Sequence, residues 1–294
     1  RRGRERCMGK FLSAEQIGQF QRDGYVPALT AFPVQEAARY RRCLEDFEKA
    51  QGGPLTSLGM FYMYKLHLLF NWAWQVVAHP AVLNAVEDLI GGDILVYTSK
   101  FFIKEPHTPA ITAWHQDATH FGFATPASVA AWIAFADAPL ESGCVEFLPG
   151  SHGLGQLQHR SKAHPDSISG GGQSIISPID VATSVAAPLR AGQFSLHHSL
   201  CAHRSQPNMT DHRRIGLSVH YVSPAVPHLG SKRLPAALVR GRDGHGHYDL
   251  MPRPRQDFDA AAQAAHKEAF HRYRANYEEQ EARHAAGEAV PSAS

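Results

Sequence analysis

The apolar positions of this chain change period twice. Near the start they recur at helical spacing. Ser13-Ala14-Glu15-Gln16 reads as a helix start, with Ser at the N-cap and Gln at the third helical position; Leu12, Ile17 and Phe20 form its buried stripe. Pro33 opens a second helix reaching about Ala50, with Ala37, Tyr40, Leu44 and Phe47 on one face. A third helix is predicted over 80–90, stopped by Gly91-Gly92. The middle of the chain is different. Residues 93–105 (DILVYTSKFFIKE) are rich in β-branched and aromatic side chains and predict a strand, as do 129–138, 144–148, 193–198 and 213–222. Turn signals such as Glu141-Ser142-Gly143, Pro149-Gly150-Ser151 and Pro207-Asn208 separate them. A charged, Ala-rich helix closes the pattern over about 258–284. Short punctuated strands between helical ends predict a helix-buttressed β-barrel of the sandwich or jelly-roll kind, in one domain over 1–294. A flexible leader is expected over 1–11 and a frayed tail over 286–294.

Two strands show which face meets a cavity. In RRIGLSVHYV, Ile215, Leu217, Val219 and Tyr221 suit packing against helices, whereas Arg214, Gly216, Ser218 and His220 form a small, polar face that suits a ligand cavity. Trp132 stands on a strand face with Ala130, Ala134 and Ala136, as a pocket wall would.

The strongest chemical signal is Trp114-His115-Gln116-Asp117. Residues i and i+2 of a strand share a face, so His115 and Asp117 can aim an imidazole and a carboxylate at one ion. A second His from elsewhere completes the facial triad of non-haem Fe(II) oxygenases, which leaves three coordination positions open. His197, His198, His203, His212 and His220 are candidates; His203 is preferred because HRSQPN and then Arg214 follow it. Arg214 can grip a carboxylate through two parallel hydrogen bonds. His197 and His198 read as supporting or core residues. A second match, His164-Pro165-Asp166, reads as a solvated turn because proline disrupts a strand.

Composition adds exclusions. With Lys+Arg at 29 and Asp+Glu at 27, the net charge of +2 gives no electrostatic case for nucleic acid. No apolar run approaches the roughly 20 residues of a membrane span. The four cysteines are scattered without a CxxC pair, which argues against a disulfide framework and fits a cytoplasmic location. Met8-Gly9 with Ser13 is a loose myristoylation pattern, and Asn208-Met209-Thr210 is a chance sequon.

The set WHQD, GCVEFLPGSH and HRSQPN with Arg214, together with YKLHLLF and SKFFIKEP, resembles the phytanoyl-CoA dioxygenase family, in its bacterial members, over residues 12–275. The resemblance implies a double-stranded β-helix (jelly roll, cupin-like), Fe(II), 2-oxoglutarate as co-substrate, O₂, and succinate and CO₂ as by-products. It implies His115, Asp117 and His203 as iron ligands and Arg214 as the clamp on the distal carboxylate of 2-oxoglutarate, assisted by Ser205. Trp132 and Gln116 match residues beside the cofactor, and Lys65 matches a lysine that approaches it. Asp117 disfavours halogenation, which needs a small residue there. The expected partner is a small-molecule substrate, natural-product or amino-acid-like, with the chain a monomer or homodimer. Phe121, Phe123 and His220 are the candidate substrate contacts, with core packing as the competing role. Lys65, Lys104 and Arg204 hint at an anionic substrate. Residues 55–64 and 159–177 are candidate lids, the second with Gly170–Gly172 as hinge. The competing function is a jelly-roll zinc hydrolase or isomerase, or a binding protein.

Overall fold

The computed structural model describes residues 9–162, 164–169 and 172–288. The helices are α1 (Ala14–Asp23), α2 (Val34–Ala50), α3 (Leu55–Leu58), α4 (Met60–Met63), α5 (Asn71–Val77), α6 (Pro80–Ile90) and α7 (Ala260–Ala285). The strands are β1 (Tyr25–Thr30), β2 (Ile94–Lys104), β3 (Thr112–His115), β4 (Ser128–Ala134), β5 (Val145–Phe147), β6 (His159–Arg160), β7 (Ser174–Ile175), β8 (Val185–Ala187), β9 (Gln193–His198), β10 (His203–Ser205), β11 (Arg214–Val222), β12 (Leu234–Arg240) and β13 (Tyr248–Leu250).

The capping box forms at α1. Ser13 Oγ accepts from the Gln16 amide at 3.2 Å, and Gln16 Oε1 accepts from the Ser13 amide at 2.9 Å. Residues 1–8, including Cys7 and Met8, lie outside the described residues, but 10–12 are held: their three amides donate to the Asp88 carboxylate at 2.6–2.8 Å. The leader expectation therefore does not extend to them. Of the expected tail, 289–294 are also outside the described residues.

A seven-stranded sheet runs in the order β1-β9-β4-β11-β2-β12-β13, antiparallel except for β12 with β13. A four-stranded antiparallel sheet, β3-β10-β5-β8, faces it as the second layer of a jelly roll. The helix-facing side of the large sheet carries Ile215, Leu217, Val219 and Tyr221, which join Tyr40, Leu44, Val76 and Val82 in the main core. Burying each such side chain stabilises the fold by roughly 1.5–3 kcal/mol.

The opposite face of the same sheet is polar, and register sets its pattern. β11 pairs with β2 so that Arg214, Gly216, Ser218 and His220 stand beside Lys104, Phe102, Lys100 and Thr98. β4 adds Ala134, Trp132 and Ala130 beside Gly216, Ser218 and His220. Gly216 is required here: a Cβ on it would come within 1.9 Å of Trp132 Cζ2.

Strands β1, β6, β7, β8, β10, β12 and β13 and helices α3 to α5 were not predicted. Each strand is short or carries Ala and Pro, and α3 to α5 are too short for a helical period to register.

Candidate metal centre

The antiparallel pairing of β3 with β10 sets His115 opposite His203. Their ring centroids lie 4.2 Å apart. Asp117 follows β3 on a 3-10 turn, and its Oδ1 lies 3.7 Å from His115 Nε2 and 3.9 Å from His203 Nε2. One ligand atom from each of the three residues falls within 4.8 Å of the other two.

Both imidazoles are oriented from behind. His115 Nδ1 is 2.8 Å from the Ala113 carbonyl and His203 Nδ1 is 3.0 Å from the Cys201 carbonyl. A carbonyl only accepts, so each Nδ1 carries the hydrogen and each Nε2 lone pair faces the centre. Burial lowers both groups to about 4, which keeps them neutral. Burial pushes the Asp117 carboxyl up, but the imidazoles of His220, His203 and His197 pull it down further, and the net position is well below the usual carboxylate value. Two neutral imidazoles and one carboxylate, already deprotonated, form a donor set that fits a divalent transition metal.

Beside the triad lies a chamber lined by Thr112, Trp132, Ser205, Arg214 and Ser218, which reaches His115, Asp117 and His203. Arg214 is 1% exposed. Its Nη1 donates to the Gly143 carbonyl at 2.8 Å, its guanidinium lies 5.1 Å from the Trp132 ring, and its Nε has no partner among the described residues. Lys104 is fully buried and donates to Ser205 Oγ at 2.7 Å and to the Gln206 carbonyl. Ser205 Oγ is also 2.8 Å from Thr112 Oγ1. Burial lowers Arg214 to about 10; burial, with Arg214 alongside, lowers Lys104 to about 6. No carboxylate of the described residues lies within 4.0 Å of either cation. A buried guanidinium without a counter-charge marks a chamber built for an anion.

Three expected residues are placed elsewhere. Gln116 points away from the cavity: its side chain bonds the carbonyls of Gly155 and Leu200 and accepts from the Leu157 amide. Strand alternation puts it on the face opposite its neighbours, so it braces the 155–157 turn. Lys65 donates to the Tyr97 carbonyl at 2.5 Å between the Tyr97 and Tyr273 rings, and lines neither chamber at the triad. On the cavity face of β2, Lys100 lines a chamber at the triad and Lys104 bonds Ser205. Phe123 packs against Tyr97 and Phe121 in the core. Phe121 and His220 do reach the cavity, their rings 4.9 Å apart.

His197 supports the triad, with Nε2 3.0 Å from Asp117 Oδ2. His198 packs with its ring tilted against those of Phe20 and His152, and His212 is exposed. His164 and Asp166 are exposed on a turn. Asn208 is fully buried and its amide bonds three carbonyls, which leaves no acceptor for a glycan.

Sequence reading passed over Thr112 and took Lys104 only as a hint of an anionic substrate, not as the partner of Ser205. The signal for Lys104 was its place in the β2 alternation, four residues after Lys100 and directly across from Arg214.

A jelly roll that buries His-x-Asp beside a distant His is the architecture of the non-haem iron oxygenases. The profile of the phytanoyl-CoA dioxygenase family (PhyH) matches residues 20–216, and the chain belongs to that family. A phytanoyl-CoA dioxygenase domain-containing protein 1 of Mus musculus is 36% identical over 158 residues, 52% of this chain and 53% of its own. The chain spans about half the length of the mammalian relatives it matches. Among solved structures, the non-haem monooxygenase ThoJ in its apo form superposes with a TM-score of 0.79 at 33% identity, over 90% of this chain and 98% of that one. CytC3, solved with Fe(II) and α-ketoglutarate, shares the fold at a TM-score of 0.62 and 20% identity, over 85% of this chain and 95% of that one. Among the described residues, no helix is long and apolar enough to cross a membrane.

Proposed function

We propose that this chain is an Fe(II)- and 2-oxoglutarate-dependent dioxygenase, in one domain, that oxidises an unactivated C–H bond of a small molecule and releases succinate and CO₂. The observation that carries this reading is the pairing of a converged His115, Asp117 and His203 donor set with a second buried feature, the uncompensated guanidinium of Arg214. A hydrolytic zinc site has use for the first and none for the second.

His115, Asp117 and His203 would hold the iron. The bound iron and 2-oxoglutarate supply the activation of O₂. The residues of the chain orient and exclude. The Ala113 and Cys201 carbonyls fix the tautomers of the two imidazoles. His197 holds the far oxygen of Asp117, so that Oδ1 faces the imidazoles. Arg214 and Ser205 hold the distal carboxylate of the co-substrate, with Lys104 supporting Ser205 from behind. Trp132 walls the chamber and stacks on the guanidinium. Such fixed positioning is worth much in rate, because small errors in approach geometry are costly. Segments 55–64 and 159–177 border the substrate side through Tyr64 and Gln173 and are the proposed lids; the hinge glycines Gly170 and Gly171 lie outside the described residues.

The test is succinate formation from 2-oxoglutarate with Fe(II), in air. Wild type forms succinate, and Asp117→Ala forms none while its circular dichroism is unchanged. Equal succinate from both chains refutes the proposal.

A further inference from the structure

The cavity at the triad is two chambers that meet at Phe102, His115 and Asp117. Arg214 stands in the first and Lys100 in the second. Both cations leave the polar face of the large sheet, Lys100 as the register partner of Ser218.

Lys100 is 5% exposed. Its Nζ donates to the Ile168 carbonyl at 2.6 Å and lies 4.3 Å and 5.1 Å from the ring centroids of Phe102 and Tyr64. An ammonium has three donors, and no carboxylate of the described residues lies within 4.0 Å of this one. Three further buried polar atoms face this chamber: Thr98 Oγ1, which has no hydrogen-bond partner among the described residues, and His120 Nδ1 and Gln173 Oε1, whose side chains interact with each other. Buried polar groups are otherwise satisfied in folded proteins, so the under-satisfied Lys100 ammonium and Thr98 hydroxyl around one space point to a ligand that satisfies them. The enclosed space is about 40 Å³, well below the roughly 300–1,000 Å³ of ordinary ligand sites, so only a compact molecule is accommodated, with the lining side chains giving way to it. Phe121, Tyr64 and Tyr273 give it an aromatic wall.

Building on the proposed function, we infer that the substrate is a compact organic acid whose carboxylate is bound by Lys100 and Thr98. The paired His120 and Gln173 side chains stand beside this site as further polar contacts. The carbon skeleton lies against the aromatic wall. Lys100 exchanges its bond to Ile168 for one to the acid. The ammonium is thus the counterpart of Arg214: each chamber has its own cation, one for the co-substrate and one for the substrate.

The test uses the full chain under nitrogen with Fe(II) and 2-oxoglutarate. It is titrated with L-proline, L-lactate and benzoate and, separately, with the corresponding amides, and thermal melting is followed. The acids raise the Tm of wild type and the amides do not. Lys100→Met weakens the response to the acids by about tenfold or more, the scale of a hydrogen bond to a charged group, and Lys100→Arg restores part of it. Without acid, Lys100→Met melts no lower than wild type, because an apolar chain of similar length replaces an unpaired charge. Three results overturn the inference: no acid shifts wild type, Lys100→Met responds as wild type does, or Lys100→Met melts well below wild type. The proposed function is read separately, from the Tm shift that 2-oxoglutarate itself produces and its loss in Arg214→Met. If that fails while the acids still depend on Lys100, the oxygenase reading falls and the acid site stands.

Discussion

His197 Nε2 lies 3.0 Å from Asp117 Oδ2, and His197 Nδ1 has no partner among the described residues. The single N–H of a neutral imidazole is therefore spent on the carboxylate, which turns Oδ1 toward His115 and His203. Replacing it should loosen the metal without touching a ligand. His197→Phe is expected to weaken Fe(II) binding by about 10–100-fold, the usual scale for such supporting bonds, in an anaerobic titration. Wild-type affinity in that variant would show that Asp117 is oriented by something else.

Gly216 leaves room for the Trp132 ring, and Trp132 in turn stacks on Arg214. Gly216→Ala forces the indole to move. The expected cost is about 1–3 kcal/mol of stability, as for other overpacked cores, together with a raised KM for 2-oxoglutarate. Denaturant unfolding and a co-substrate titration read the two effects. A stable variant with unchanged KM would mean that the indole position does not matter to the chamber.

Arg214→Met should raise the KM for 2-oxoglutarate by about tenfold to a hundredfold, since hydrogen bonds to charged groups contribute about 1.5–3 kcal/mol each. The metal-free variant should melt no lower than wild type, because the lost charge had no counter-charge. An unchanged KM would remove the clamp from the account.

Acid should destabilise the metal-free chain. Burial holds His115, His203 and His220 at about 4 and His120 at about 3, against an ordinary value of 6.5. Below 6.5 the unfolded chain binds protons that the folded chain refuses, so stability is present above 6.5 and is lost as pH falls toward 4. Tm measured across this window should be level above neutrality and drop steadily below it. A Tm that rises on acidification would contradict the buried, neutral state of these rings.

Much of the fold was legible because period and burial coincide. β11 alternates cleanly between a helix face and a cavity face, so its role could be read from ten letters. β2 hid its role: both its faces are buried, so Lys100 and Lys104 sit in an apolar-looking run with no contrast to mark them. The His-x-Asp pair fixed two donors by strand geometry, and His203 needed the motif around it. Gln116 went astray because proximity to the triad in sequence was given more weight than the alternation that turns it outward. Lys65 could not be placed at all without knowing that α3 to α5 fold into short turns ahead of β2.

The central claim is that His115, Asp117 and His203 hold one Fe(II) that 2-oxoglutarate chelates. Visible absorption under nitrogen tests it most directly. Adding Fe(II) and then 2-oxoglutarate to wild type should give a weak charge-transfer band, and the same additions to His203→Ala should give none. A wild-type solution that stays colourless, or a variant that develops the same band, would contradict the account.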